Sequence, residues 1–276
     1  MSDLRQYRIT GHIGELLQGR LGPDGPVALI TLPCPDLTLE ASLHPGPLEL
    51  VQPQKAVISV TDLRRLLVLL DSPSQGRFTF RAKMPVGAGA GASTAAILAV
   101  IKQVRPDLPR SEAERICLTI EGASDPLLAP RPEKVLWASR QARVLDQMPP
   151  LPRMRVVGGF FGQAQPTDPG DEHFPDIADL VAAWPESCHS AADCARLASI
   201  SASRTLVLRR SGASDLAALA EACGALGFSI AHTGSAQCLL FDAERDGTAI
   251  ASKLSQMGWR YVQNFVIGGS ADGRGV

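Results

Sequence analysis

The sequence predicts an α+β protein of two domains, residues 1–150 and 151–276, and three observations predict it. Short β-rich runs fill residues 8–51 between Pro/Gly punctuation. A strand then runs into a glycine-rich loop that opens an Ala-rich helix, and β and α patterns alternate beyond the proline cluster Pro149-Pro150-Leu151-Pro152. A chain of 276 residues exceeds one ordinary compact domain and falls short of three. Proline-rich exposed stretches commonly mark domain boundaries, which places the division at that cluster.

Taken in order, Val27–Ile30, Leu37–Ala41 and Leu48–Val51 read as a meander of strands. Thr61 suits the N-cap of a helix through Leu70 that stops before Pro73. Phe78-Thr79-Phe80-Arg81-Ala82 alternates as a half-buried strand does, within Arg77–Lys83, and leads straight to Pro85. The helix from Ser93 to Val104 is Ala, Ile and Leu on most of its circumference and ends before Pro106. A second helix starts at Ser111, and a helical run is expected over Glu133–Leu145. The second half reads as strand Met154–Val157, helix Ala191–Ser203, strand Thr205–Leu208, helix Asp215–Leu226, strand Cys238–Asp242, a helix to Met257 and strand Tyr261–Ile267.

A 45% hydrophobic and 20% charged composition supplies a core and excludes disorder. With 27 Lys and Arg against 28 Asp and Glu, no electrostatic footprint attracts nucleic acid or an anionic membrane, so a small molecule is the expected partner. Residues Met1 to Tyr7 lack a signal-peptide core and no 18-residue apolar run follows, which implies a cytoplasmic address. The cysteines Cys34, Cys117, Cys188, Cys194, Cys223 and Cys238 form no C-x-x-C pair and read as reduced, mostly buried thiols. Cys188, His189 and Cys194 lack the second pair that a zinc site needs.

The chemistry centres on Pro85-Val86-Gly87-Ala88-Gly89-Ala90-Gly91-Ala92-Ser93-Thr94. A strand, then glycines, then a helix start presents free backbone N–H groups and the positive dipole end to an anion, and phosphate is the natural guest. No Gly-Lys-Ser/Thr follows, so this is not a P-loop. Asp107 stands at the spacing of a ribose-binding acid after Gly87, but it lies in a proline-bracketed turn with no second strand to end on. A dinucleotide-dependent oxidoreductase is therefore disfavoured, and a plain surface turn does not account for an Ala/Gly-only loop of this length.

The loop resembles that of the GHMP kinases, Pro-x-Gly-x-Gly-x-Gly-Ser-Ser before a small-residue helix, departing in Ala92 for the first Ser. The resemblance implies a two-domain fold, with an amino-terminal domain like the second domain of a small-subunit ribosomal protein and a ferredoxin-like α+β carboxy-terminal domain. It also implies ATP and Mg²⁺, with Pro85 and Gly87 to Thr94 on the phosphates and Ser93 on the metal; the bland reading of Ser93 is a helix N-cap. Two further elements resemble family motifs: Thr10-Gly11-His12-Ile13-Gly14-Glu15-Leu16-Leu17-Gln18-Gly19 and Ala231-His232-Thr233-Gly234-Ser235-Ala236. Together they are most similar to the L-threonine kinases of cobalamin biosynthesis and propanediol utilisation, with Gly14, Glu15, His232, Thr233 and Gly234 on the substrate side. Glu15 could orient the substrate amine or be a solvated strand-edge acid, and His232 suits the shaping of its turn.

Glu121-Gly122-Ala123-Ser124-Asp125 resembles the Glu-Pro-Ser/Thr-Asp signature of those kinases, with Gly122 in place of proline. Asp125 is then the general base or hydroxyl-orienting group, and Glu121 the Mg²⁺ ligand on the same helical face. Glu114 competes for the metal, because mevalonate-kinase-like members place that acid eleven residues before the aspartate. Ser111-Glu112-Ala113-Glu114 is also a capping box, which would occupy Glu114 structurally. Lys134, Arg140 and Arg143 offer positive charge to phosphate or form a solvated helix face. Homoserine as acceptor, and a non-catalytic nucleotide- or metabolite-binding protein, stand as alternatives to an L-threonine kinase.

Overall fold

The computed structural model describes residues 5–163, 168, 170–209, 213–232 and 235–269, so Thr233 and Gly234 lie outside the described residues. Its elements are β1 (Arg5–Arg20), β2 (Val27–Pro47), β3 (Glu49–Val51), α1 (Val60–Leu69), β4 (Gln75–Ala82), α2 (Ala92–Val104), α3 (Arg110–Glu121), β5 (Val135–Ala138), β6 (Arg143–Gln147), β7 (Met154–Phe160), α4 (Ala178–Ser187), α5 (Ala191–Leu208), α6 (Ala213–Ala222), β8 (Gly227–Ile230), β9 (Ala236–Asp242), α7 (Thr248–Gln256) and β10 (Arg260–Ile267). The strands form one curled sheet in the order β10-β7-β9-β8-β1-β2-β4-β3, with β5 attached to β2 and β6 to β5. Only the β3–β4 pairing is parallel among those between described strands. The two halves meet where Glu15 of β1 pairs with Ile230 of β8.

The long β1–β2 hairpin is the spine of the fold. Its residues Ile13, Leu16, Leu17, Ile30, Leu32, Leu37 and Leu39 are fully buried, and the hairpin is covered by the small-residue helix α2 and by α5. Each such side chain contributes about 1.5–3 kcal/mol of transfer free energy. Pairing is irregular in the middle, with register shifts between Thr10 and His12, His12 and Glu15, and Glu15 and Leu17. The causes are local: Gly11 and Gly14 have no Cβ, and Pro33 and Pro35 opposite have no N–H to give the ladder.

Several elements differ from the sequence expectation. Glu133–Leu145 is not a helix: a short 3-10 turn at Pro132–Lys134 leads into the hairpin β5–β6, so Lys134, Arg140 and Arg143 share no helical face. The buried run Val135-Leu136-Trp137-Ala138 pairs with β2 through Ala28–Ala138 and Leu29–Trp137, and that tertiary pairing overrides helical periodicity. Thr205–Leu208 is the last turn of α5, where the Thr205 hydroxyl returns to the Ser201 carbonyl at 3.3 Å. Val27–Ile30 and Leu37–Ala41 are one strand, and α4 had no counterpart in the reading. Ser59, not Thr61, caps α1 by accepting from the Asp62 N–H. All six cysteines are buried and unpaired. No helix among the described residues is long and apolar enough to cross a membrane.

Candidate active site

Gly87, Gly89 and Gly91 adopt φ of +74°, +75° and +73°, the left-handed region that β-carbons disfavour, and alternate with the buried Ala88 and Ala90. Gly91 is the N-cap of α2 and provides no side-chain cap, so the first-turn N–H groups stay open toward the loop. A Cβ on Gly91 would lie 3.0 Å from the His12 ring and 3.2 Å from Asp125 Oδ2. Strand β1 docks beneath: the His12 N–H donates to the Ala90 carbonyl at 3.3 Å, and a Cβ on Gly11 would meet that oxygen at 2.4 Å. Lys55, which the sequence reading passed over, donates from Nζ to the Val86 carbonyl at 3.1 Å and brings a positive charge to the loop.

Helix α3 ends at Glu121, with Gly122 as a left-handed C-cap at φ +71°. Asp125 therefore lies beyond the helix, not on a face shared with Glu121 as expected; the turn at Gly122 brings it back instead. Its loop is tied to the β5–β6 hairpin by Ser124 N–H to the Ser139 carbonyl, 2.9 Å, and by Trp137 Nε1 to the Ser124 carbonyl, 2.7 Å. Thr94, in the first turn of α2, joins the acids: its hydroxyl donates to Glu121 Oε2 at 2.8 Å and lies 3.5 Å from Asp125 Oδ2. Burial raises the Glu121 carboxyl to about 7, against the lowering effect of hydrogen bonds from Ser93 and Thr94. Ser93 itself is exposed beside the loop and is the second residue of α2, not its cap. The competing acid Glu114 is engaged elsewhere: α3 starts at Arg110, the Ser111 capping box does not form, and Glu114 pairs with Arg110.

On β1 the bulge between His12 and Glu15 has a direct consequence. Residues three apart on a regular strand face opposite sides, yet the register shift brings these two together, with His12 Nδ1 3.5 Å from Glu15 Oε1. The other ring nitrogen, Nε2, is 3.5 Å from Asp125 Oδ2. Glu15 is only 6% exposed, so it is no solvated edge acid. Burial raises its carboxyl to about 7; His12 and the His232 backbone N–H work against that, and Asp125 adds to it. Gly14, at φ +93°, lets β8 approach: a Cβ there would stand 2.9 Å from the Ile230 carbonyl carbon.

Beyond Glu15 lies a second group of side chains, centred on His232. Its ring stacks on Phe174 at 3.8 Å between centroids, and Nε2 lies 3.3 Å from Asp171 Oδ2. Arg209, at the end of α5, contacts both Asp171 and His232. Arg140, from the β5–β6 turn, lies over Phe174 at 5.9 Å and donates to the Asp168 carbonyl at 2.9 Å. Burial and then Arg209 push the His232 imidazole down to about 4, against the pull of Asp171. For Asp171, burial acts upward, but hydrogen bonds from the His173 N–H and Arg209 outweigh it and hold the carboxyl at about 2. Buried nitrogens of Arg140 (Nη1), Arg209 (Nε) and His232 (Nδ1) have no hydrogen-bond partner among the described residues.

Of the residues singled out in sequence, the fold gathers the glycine loop, Ser93, Thr94, Glu121, Asp125, Gly14, Glu15 and His232 along one line, and leaves Glu114 outside it. Sequence reasoning did not single out Asp171, Phe174 or Arg209, read Arg140 as a phosphate candidate on a helix, and quoted His12 only as part of the Thr10–Gly19 element. Two glycines flanking His12 within a strand were the available sign of a bulge.

No protein-family model matches the chain, and no curated protein is similar to it in sequence. Solved structures are similar in fold. L. major mevalonate kinase in complex with R-mevalonate is 13% identical, with a TM-score of 0.64 over 98% of this chain and 97% of that one. Phosphomevalonate kinase of Streptococcus pneumoniae is 12% identical, with a TM-score of 0.65 over 97% and 99%. Homoserine kinase from Cytophaga hutchinsonii is 16% identical, with a TM-score of 0.57 over 96% and 94%. The chain thus has the α+β fold of the GHMP kinases over nearly its full length.

Proposed function

We propose that this chain is an ATP:alcohol phosphotransferase that moves the γ-phosphoryl group to an aliphatic hydroxyl, with L-threonine giving O-phospho-L-threonine for cobalamin biosynthesis as the preferred reading. The observation that carries it is the Thr94 hydroxyl at the start of α2, within 2.8 Å of Glu121 and 3.5 Å of Asp125, which sets two acids where a phosphate held by the glycine loop would end. A cleft of 280 Å³ beside Ser93, walled by Val57, Ile58, Ile97 and Ile120, suits the nucleotide base. A larger cavity of 380 Å³ between Leu43, Gly46, Pro73 and Val104 has no acid among its lining residues and plays no part in this reading.

In this mechanism Pro85 and Gly87 to Thr94 hold the phosphates. The donor set of the Ser93 hydroxyl and the Glu121 carboxylate fits Mg²⁺, which takes oxygen from one or two carboxylates and completes its shell with phosphate and water. When bound there, the ion neutralises charge on the β- and γ-phosphates. Asp125 accepts the hydroxyl proton as the acceptor oxygen bonds to the γ-phosphorus and the bridging P–O bond to ADP breaks. Gly14, Glu15 and His232 line the acceptor side, to which the sequence resemblance also assigns Thr233 and Gly234, and the buried Glu15 Oε2, without a hydrogen-bond partner among the described residues, suits an ammonium group. Residues 1–150 thus carry the nucleotide, and 151–276 complete the acceptor end.

Homoserine is the second acceptor reading, favoured by the likeness to homoserine kinases in fold. Coupled ADP release with L-threonine, L-serine, L-homoserine and mevalonate tests both. ADP with threonine above the others supports the first reading, and ADP with homoserine the second. ATP binding without turnover on any acceptor would identify a non-catalytic binding protein.

A further inference from the structure

We propose that His12 is a positioning residue for Asp125: its imidazolium, held between Glu15 and Asp125, fixes Asp125 Oδ2 against the phosphate loop and leaves Oδ1 for the acceptor hydroxyl. The proposal rests on the phosphotransferase reading above. Its basis is geometric. His12 is 2% exposed, stands 3.5 Å from a carboxylate oxygen at each ring nitrogen, and packs against Gly91, where a Cβ would come within 3.0 Å of the ring. Every ion-pair and hydrogen-bond contact of Asp125 with described residues falls on Oδ2.

Neither ring nitrogen is aligned for a hydrogen bond, so the attraction is one of charge and requires the protonated ring. A neutral ring would leave Glu15 and Asp125 without a cation between them in a buried setting. The groups facing His12 are few. Asp125 comes from the loop after α3, with Glu121 behind it through Thr94, and Glu15 comes from β1 itself. Near Glu15 lies the Cys238 thiol of β9, with Cys34 of β2 beside it; burial pushes both up and they stay uncharged. Burial pulls the imidazole down, but Asp125 and Glu15 together outweigh it and hold it at about 9. The cation is present below that pH and lost above it.

Two measurements decide the matter. Imidazole NMR titration of the full chain, with His12 assigned by its loss in His12→Gln, is expected to give a midpoint far above the ordinary 6.5, falling by at least about one pH unit in Asp125→Asn. A midpoint at or below 6.5, or one unmoved in Asp125→Asn, overturns the pairing. Steady-state turnover against pH, with the acceptor that gives ADP, is expected to show a basic limb near that midpoint. His12→Gln should lower turnover at least about tenfold with the ATP KM unchanged and abolish the limb. His12→Lys, which keeps the charge, should recover turnover and move the limb upward. A His12→Gln enzyme with the wild-type limb shows that the ring only fills space. Absence of ADP with every acceptor removes the phosphotransferase reading and the catalytic role with it, while the NMR midpoint still decides the pairing. Should His12→Gln not fold, His12 is assigned by its loss in His12→Lys and the Asp125→Asn titration carries the test.

Discussion

The phosphate-loop end of the site takes most of its side chains from regular elements, with Asp125 alone in the loop after α3, whereas the His232 end assembles them mainly from turns and loops. Thr94 sits in the first turn of α2, Glu121 in the last turn of α3 and His12 on β1. Arg140 comes from a hairpin turn, and Asp171 and Phe174 from the segment between β7 and α4. The first end is held by backbone geometry that the Cβ-free glycines make possible; the second is held by charge and stacking among side chains. On the proposed reading the difference separates chemistry from recognition: groups that must meet a phosphate need fixed placement, while acceptor recognition tolerates loops carried by a rigid scaffold.

The largest effect is expected at Asp125. Asp125→Ala should lower turnover by about 10²–10⁴-fold while leaving the ATP KM nearly unchanged, because the proposed function rests nucleotide binding on the loop and α2. Turnover near normal in a steady-state assay would remove Asp125 from the mechanism and leave the carboxylate end without a proton acceptor.

Glu121→Gln comes next. The variant keeps the bond from Thr94 but loses the charge, so the Mg²⁺ concentration for half-maximal activity should rise and turnover fall about 10–100-fold. Because the Glu121 carboxyl is raised to about 7, proton and cation compete there: Mg²⁺ affinity of the nucleotide-free protein should drop as pH falls through about 7. Calorimetric Mg²⁺ titration at several pH values checks this, and a pH-independent affinity would place the metal elsewhere.

At the other end, Asp171→Asn should act on recognition and stability together. It leaves Arg209 without its carboxylate in a half-buried site, a loss of about 1–3 kcal/mol seen as a lower Tm. The acceptor KM should rise more than turnover falls; the reverse pattern would move this cluster into the chemistry. The sign of the pH effect follows from His232. Its folded value, depressed to about 4 from 6.5, makes the folded state bind fewer protons between those values, so this contribution to stability is lost as pH falls through that window.

The same contrast explains what was legible in sequence. Gly87, Gly89 and Gly91 announce themselves because left-handed φ demands glycine, and the Ala-rich helix that follows is visible from composition alone. Glu121 and Asp125 were readable as a short motif, although the turn at Gly122, not a shared helical face, brings them together. His12 was hidden because a bulge reverses strand alternation. Arg140 was hidden by a helical reading of a segment that pairs as a hairpin with β2. Asp171, Phe174 and Arg209 carry no local pattern, since only tertiary folding brings residues so far apart along the chain to one imidazole ring.

The smallest effect is expected at Glu114, and it sharpens the choice between the two candidate metal acids. Glu114 stands one helical turn from Arg110 and pairs with it, and Arg110 is about a third exposed. An i,i+4 pair of this kind contributes about 0.3–0.5 kcal/mol. Glu114→Gln should therefore shift Tm slightly and leave turnover and the Mg²⁺ requirement unchanged. Measured beside Glu121→Gln, the pair forms a swap test: loss of metal dependence at Glu114 with retention at Glu121 would require α3 to present its opposite end to the nucleotide. That arrangement would uncouple Thr94 from the metal altogether, because Thr94 bonds Glu121.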